Sequence, residues 1–122
     1  ELVIIEGQGA LLHPGSTANL ALIRGSCPTH FVLCHRAGMK SLPRLPDIAV
    51  PPLGDYMALY QDLAEVIGTY ARPTASAVAL NTQKLNEEDA RRACLEIEQE
   101  TGMACTDPVR FGSDRLVDAV MA

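Results

Sequence analysis

Four short apolar runs limit how this chain can fold: Leu2–Ile5, Phe31–Cys34, Ala75–Leu80 and Met103–Thr106. Each is too short for a stable helix, and three of them stop abruptly at Gly-rich or polar residues: Glu6-Gly7-Gln8-Gly9, Asn81-Thr82 and Asp107-Pro108. The remaining run, Phe31–Cys34, stops at His35. Runs of this length and character read as strands buried on both faces. Between them lie helical patterns. Residues 55–70 place Tyr56, Leu59, Tyr60, Leu63, Val66, Ile67 and Tyr70 along one helical face, with Pro73 beyond as a breaker. Asn86 followed by Glu87-Glu88-Asp89 is a strong helix start, and Glu87 with Arg91 and Glu88 with Arg92 have ion-pair spacing. A short helix over 16–24, capped by Ser16 or Thr17, and a last helix opening at Gly112-Ser113 complete the set. Strands alternating with helices predict an α/β fold: a parallel sheet in three layers, with helices on both faces. Residues 36–54, with Pro43, Pro46, Pro51 and Pro52, read as a long loop.

The length of 122 residues suits one domain, and composition narrows its partners. Ten Lys+Arg against fifteen Asp+Glu give a net charge of −5, and only Lys40 and Lys84 are lysines. Such a chain is poorly suited to neutralising nucleic-acid phosphates. With five aromatics and no Trp it lacks a base-stacking platform. No apolar run approaches the roughly 18 residues of a membrane span. Cys27, Cys34, Cys94 and Cys105 contain no C-x-x-C pair, and the last three sit in apolar segments. They read as reduced core thiols, the pattern of a cytoplasmic protein. The strand at residue 2 has no lead-in, so the chain reads as a portion of a longer protein. A four-stranded portion leaves a bare sheet edge, which points to folding with another half or to a homo-oligomer.

In open parallel sheets, small-molecule ligands bind beyond the carboxyl ends of the strands. Those ends carry polar residues in every case. Glu6 with Gly7 and Gly9 suits a magnesium-facing carboxylate beside a backbone that a ligand can approach, or else a strand-ending turn with a solvated acid. His13 is either a general base or a loop histidine bonded to backbone. His35 carries the same two readings, and His30 is structural. Asn81 can read a ring edge with its amide or cap a turn. Arg110 can grip a carboxylate or phosphate, or brace the loop against Asp107. The chain has no G-x-x-x-x-G-K-[ST] phosphate loop, no H-E-x-x-H and no G-x-S-x-G.

The stretch Val3-Ile-Ile-Glu-Gly-Gln-Gly-Ala-Leu-Leu-His-Pro14 resembles a segment of the domain-of-unknown-function 1611 family. So do Phe31–His35, Pro51–Tyr60, Leu80–Thr82, Thr101–Gly112 and Asp114–Asp118, in order along nearly the whole chain. The resemblance implies the C-terminal portion of a P-loop NTPase-like domain. It also implies an acetyl-CoA-dependent N-acyltransferase acting on a small acidic amino acid, because family members include D-glutamate N-acetyltransferases. The Glu-Gly-x-Gly element is similar to that of dethiobiotin synthetase, where the acid helps hold magnesium, which implies an ATP/Mg²⁺ ligase as the alternative. A non-catalytic half-domain is the third reading. Carried over residue by residue, Glu6, Gly7 and Gly9 would line a phosphate- or magnesium-bearing pocket, with Glu6 and His13 as the catalytic candidates. Asn81, Asp107 and Arg110 would border the nucleotide end of the cofactor. Ala10 stands where the family has Ser.

Overall fold

Three of the four apolar runs assemble into one sheet in the computed structural model, which describes residues 1–16 and 18–122. The Thr17 cap reading lies outside the described residues. The elements are α1 (Ala18–Ser26), β1 (His30–Arg36), β2 (Ser41–Leu42), β3 (Leu45–Ala49), α2 (Leu53–Glu65), β4 (Thr74–Asn81), α3 (Glu87–Thr101), β5 (Ala104–Thr106) and α4 (Asp114–Met121). The sheet runs β1-β4-β5 and is parallel throughout. Leu33 lies opposite Val78, Arg36 opposite Asn81, and Val78 opposite Cys105, so the polar strand ends come out at one edge.

Side chains alternate across a strand, and β4 uses both faces. Val78 and Leu80 are fully buried and join Leu33, Leu53, Tyr56, Met57, Cys94, Met103 and Cys105 in the core beneath α2 and α3. The alternate residues Ala77 and Ala79 are small, and α4 packs on β4 and β5. The result is the expected α/β three-layer arrangement.

α3 begins where the sequence places it. Asn86 accepts from the Asp89 amide at 2.8 Å, and Glu87 pairs with Arg91 at 2.8 Å. Glu88 does not pair with Arg92; Arg92 binds Asp89 instead, one residue closer on the same face. Gly102 ends the helix with φ of 70°, a left-handed conformation that glycine adopts without a Cβ clash.

Four expectations need correction. Leu2–Ile5 forms no ladder, and its residues are 55–85% exposed. Apolar character favours a strand only where a neighbour supplies backbone partners, and no described strand lies beside this run. Residues 36–54 are not one loop, because they hold the antiparallel β2–β3 hairpin, with Leu42 opposite Leu45. Pro46 sits inside β3, tolerable in a two-stranded ribbon where one edge is free. The helix expected over 55–70 stops at Glu65, because Val66 and Ile67 turn left-handed (φ 49° and 54°). Finally, Cys34 is exposed on β1, whereas Cys94 and Cys105 are core thiols as expected; all four cysteines are free.

Candidate functional site

The carboxyl ends of β4 and β5 are tied together by one buried acid. Asp107 is 5% exposed, and its carboxylate accepts four hydrogen bonds. Oδ2 takes the Thr82 amide at 2.9 Å and the Thr82 hydroxyl. Oδ1 takes the Val109 amide at 3.0 Å and the Arg110 amide at 3.1 Å. Burial alone would raise the acid's pKa, but the Thr82 side chain, the Thr82 amide and the Arg110 and Val109 amides outweigh it and hold it below the ordinary value. Arg110 makes no ion pair with Asp107. Its guanidinium donates to the carbonyls of Thr82 (3.2 Å) and Leu85 (3.0 Å). Acid and base therefore brace the same 81–85 turn, Asp107 through the Thr82 amide and hydroxyl and Arg110 through two carbonyls.

That brace shapes a recess of about 90 Å³ at the ends of β1 and β4, lined by Arg36, Ala37 and residues 81–85. Asn81 Oδ1 accepts the Gln83 amide at 3.0 Å, so the NH₂ end of its amide is the end left to face a ligand. The Asn81 carbonyl is also used, accepting the Ala37 amide at 3.0 Å.

A second group forms at the start of α1. Gly9 has φ of 88°, and a Cβ there would overlap the Ser16 hydroxyl; a Cβ on Gly7 would lie 2.8 Å from Asn19 Oδ1. Both glycines are therefore required by close packing, independently of any ligand. Asn19, 8% exposed, donates to the Gly9 carbonyl at 2.9 Å, while its Oδ1 is buried without a donor. Glu6 is exposed, and Gln8 reaches its carboxylate at 3.4 Å. His13 sits in a turn closed by bonds from His13 N to Ala10 O and from Ser16 N to His13 O, both 3.0 Å. The Gly15 amide donates to His13 Nδ1 at 3.0 Å. In the neutral ring that contact leaves the proton on Nε2, so His13 presents an N–H outward.

Asn81, Asp107 and Arg110 are thus brought together, as are Glu6, Gly7 and Gly9. Among the described residues no hydrogen bond or ion pair joins the two groups. Nor is there any cluster of three His, Cys, Asp or Glu side chains that could hold a metal. Glu6 alone offers a carboxylate, enough for a magnesium ion that keeps water and phosphate as its other ligands. His35 is half-buried; burial lowers its pKa, and the charge of Glu100 pulls it back upward. Glu100 also accepts the Leu53 amide at 2.9 Å and so satisfies a free N–H in the first turn of α2. Asn19 and Glu100 went unnoticed in the sequence because both lie within helices, away from strand ends. Arg36 and Lys84 were detectable, since one ends β1 and the other follows Asn81.

No described helix is long and apolar enough to cross a membrane. The D-glutamate N-acetyltransferase of Tritonibacter scottomollicae is 36% identical over 120 residues, covering 98% of this chain and 35% of that protein. The D-glutamate N-acetyltransferase of a Pseudoalteromonas species is 30% identical over 115 residues, covering 93% and 34%. The crystal structure of a DUF1611 protein from Anabaena variabilis superposes with a TM-score of 0.92 at 50% identity, covering 95% of this chain and 34% of that one. The chain therefore spans about a third of the length of these relatives. The family described as "Domain of unknown function (DUF1611_C) P-loop domain" matches residues 1–117, and the chain belongs to it.

Proposed function

We propose that this chain is part of an N-acyltransferase that moves the acetyl group of acetyl-CoA onto the amine of a small acidic amino acid such as D-glutamate. The observation that carries this reading is the name shared by the two curated relatives, each matching more than nine-tenths of the chain. The reaction forms a C–N bond and breaks the thioester C–S bond, and acetyl-CoA, when bound, supplies that thioester. The attacking amine must lose a proton, the carbonyl oxygen gains negative charge, and the thiolate leaves.

Glu6 and His13 supply the two kinds of group this needs. Glu6 is an exposed carboxylate able to hold an ammonium group and accept its proton. His13 presents Nε2–H, a donor for the developing oxyanion; use of the ring as a base at Nδ1 requires release of the Gly15 amide. Gly7 and Gly9 keep side chains away from this turn, and the 81–85 turn, held by Asp107 and Arg110, offers Asn81 to the nucleotide end of the cofactor.

The test, on the full-length protein that carries this chain, is thiol release from acetyl-CoA in the presence of D-glutamate or L-glutamate, alongside calorimetry with acetyl-CoA and Mg-ATP in turn. Release that depends on D-glutamate and falls at least about tenfold in His13→Ala and Glu6→Gln supports acyl transfer. The P-loop character of the family favours one other reading, the ATP/Mg²⁺ ligase with Glu6 on the metal. Mg-ATP binding without acetyl-CoA binding, lost in Glu6→Gln, would establish that instead.

A further inference from the structure

The chain is acidic overall, yet two of its uncommitted cations meet at one recess. Of its ten Lys and Arg residues, six are engaged. Arg72, Arg91, Arg92 and Arg115 pair with acids. Arg24 lies 4.8 Å over the Tyr70 ring, and Arg110 holds two carbonyls. Among the described residues the side chains of Arg36, Lys40, Arg44 and Lys84 make no such bond. Arg36 ends β1, Lys40 and Arg44 lie in the segment that follows it, and Lys84 lies in the turn after β4. Two of the four, Arg36 and Lys84, line the same recess.

The rest of the lining points the same way. Asn81 has its oxygen occupied by the Gln83 amide and presents its NH₂. The carbonyls of Thr82 and Leu85 are drawn onto the Arg110 guanidinium. The Thr82 hydroxyl is spent on Asp107. No acid is among the lining residues, and Asp107, which holds Thr82, has its carboxylate covered by four donors of its own. The polar side chains left to a ligand are the Arg36 guanidinium, the Lys84 ammonium, the Asn81 NH₂ and the neutral amide of Gln83, so both charges in the lining are positive. A recess of about 90 Å³ holds a few waters or one small oxyanion.

We propose that this recess is an anion subsite for a carboxylate or phosphoryl group, with Arg36 as the bidentate ligand, Lys84 as the second charge and Asn81 as the neutral donor. Arg matches the planar face of such groups with two parallel N–H bonds, and Lys adds a point charge. The acyl-transfer reading matters only for the source of the anion, which is either the carboxylate of the amino acid or a phosphate of CoA.

The experiment titrates inorganic phosphate, D-glutamate and CoA separately into the isotope-labelled chain at low ionic strength, followed by amide NMR. Saturable shifts centred on Arg36, Ala37 and residues 81–85 are expected. Arg36→Gln and Lys84→Gln should each weaken binding about tenfold, with Arg36→Lys recovering part of the loss. Both substituted side chains are exposed, so the fold should survive, and the unperturbed remainder of each spectrum reports this. A response to phosphate and CoA assigns the site to a phosphoryl group; a response to D-glutamate alone assigns it to the substrate carboxylate. Shifts centred elsewhere, no saturable response, or affinities unchanged in both Gln variants would overturn the subsite. An anion bound here, when the full-length protein shows no D-glutamate-dependent thiol release, would leave the subsite standing and remove the acyl-transfer reading.

Discussion

Asp107 shows how a single side chain can set the position of a loop. Its four accepted hydrogen bonds favour the ionised form, so its folded pKa lies below the ordinary value of 3.8. A lowered folded pKa adds stability above the unfolded value, and that stability disappears as the pH falls through and below it. Denaturant unfolding from pH 7 down to 3 should therefore show a loss that begins near pH 4, with Asp107→Asn flattening this dependence and costing about 2 kcal/mol at neutral pH. The cysteines give a second check. Burial pushes Cys105 up to about 12 and raises Cys94, while Cys27 and Cys34 are exposed. The thiol reagent DTNB should therefore titrate Cys27 and Cys34 in the native chain, and Cys94 and Cys105 only after denaturation. The sequence marked Asp107 and Arg110 because both follow a strand. It did not reveal that the Arg110 guanidinium holds carbonyls instead of the Asp107 carboxylate, which meets Arg110 only through its amide, since chain position tells where a residue stands and not which atoms it meets. Cys34 was misread for a related reason. An apolar run predicts burial on both faces, but on β1 Leu33 is buried while Val32 and Cys34, on the opposite face, are exposed.

The elements differ in how much their own residues determine them. α3 was legible end to end, because its cap, its acidic first turn and its glycine stop are local features that agree with one another. Asn86→Ala should cost about 1 kcal/mol, measured by chemical denaturation. α2 was legible in its first three turns and misread at its end. Val66 and Ile67 continue the apolar stripe, so periodicity extends the helix through them; tertiary structure instead turns the chain back toward β4. Two β-branched residues are then held left-handed, a conformation that costs about 1–2 kcal/mol each. Ile67 is fully exposed and buries nothing in compensation. Ile67→Asn, which tolerates this backbone better, should stabilise the chain by about 1 kcal/mol and raise its melting temperature by about 4 °C. Calorimetry showing a lower melting temperature would mean that Ile67 contributes packing not seen here. The β2–β3 hairpin was missed because Pro46 counts against a strand on sequence grounds, and only the pairing shows that it stands in a two-stranded ribbon.

At the scale of the molecule, the surface is too large and too apolar for its mass. A compact monomer of 13.1 kDa exposes about 6,400 Å², whereas this chain exposes 7986 Å². The excess of about 1,600 Å² is about twice the roughly 800 Å² that one partner contributes to a standard protein–protein interface. It includes Leu2, Val3, Ile4 and Ile5, and Val32 on β1 is 38% exposed. Val117 and Met121 on α4 are 51% and 67% exposed, and α4 buries no residue. Among the described residues, β1 also has one edge without a strand partner. An unpaired edge beside an apolar run that forms no ladder is a template for adding a strand. About two-thirds of each relative's length lies outside the region this chain matches, and such a segment, or a second copy, would supply the cover. The chain on its own is therefore expected to associate in a concentration-dependent way and to bind an apolar dye such as ANS. Ile4 is 85% exposed, so Ile4→Asp should leave helix content and the melting transition nearly unchanged while reducing association and dye binding. Light scattering that finds a monomer at all concentrations for both proteins, with no dye response, would show that the exposed run is only a solvated segment. If Ile4→Asp also lowered the melting temperature, the run would contribute to the fold of a single chain, and its exposure would have to be explained by motion within that chain rather than by a partner.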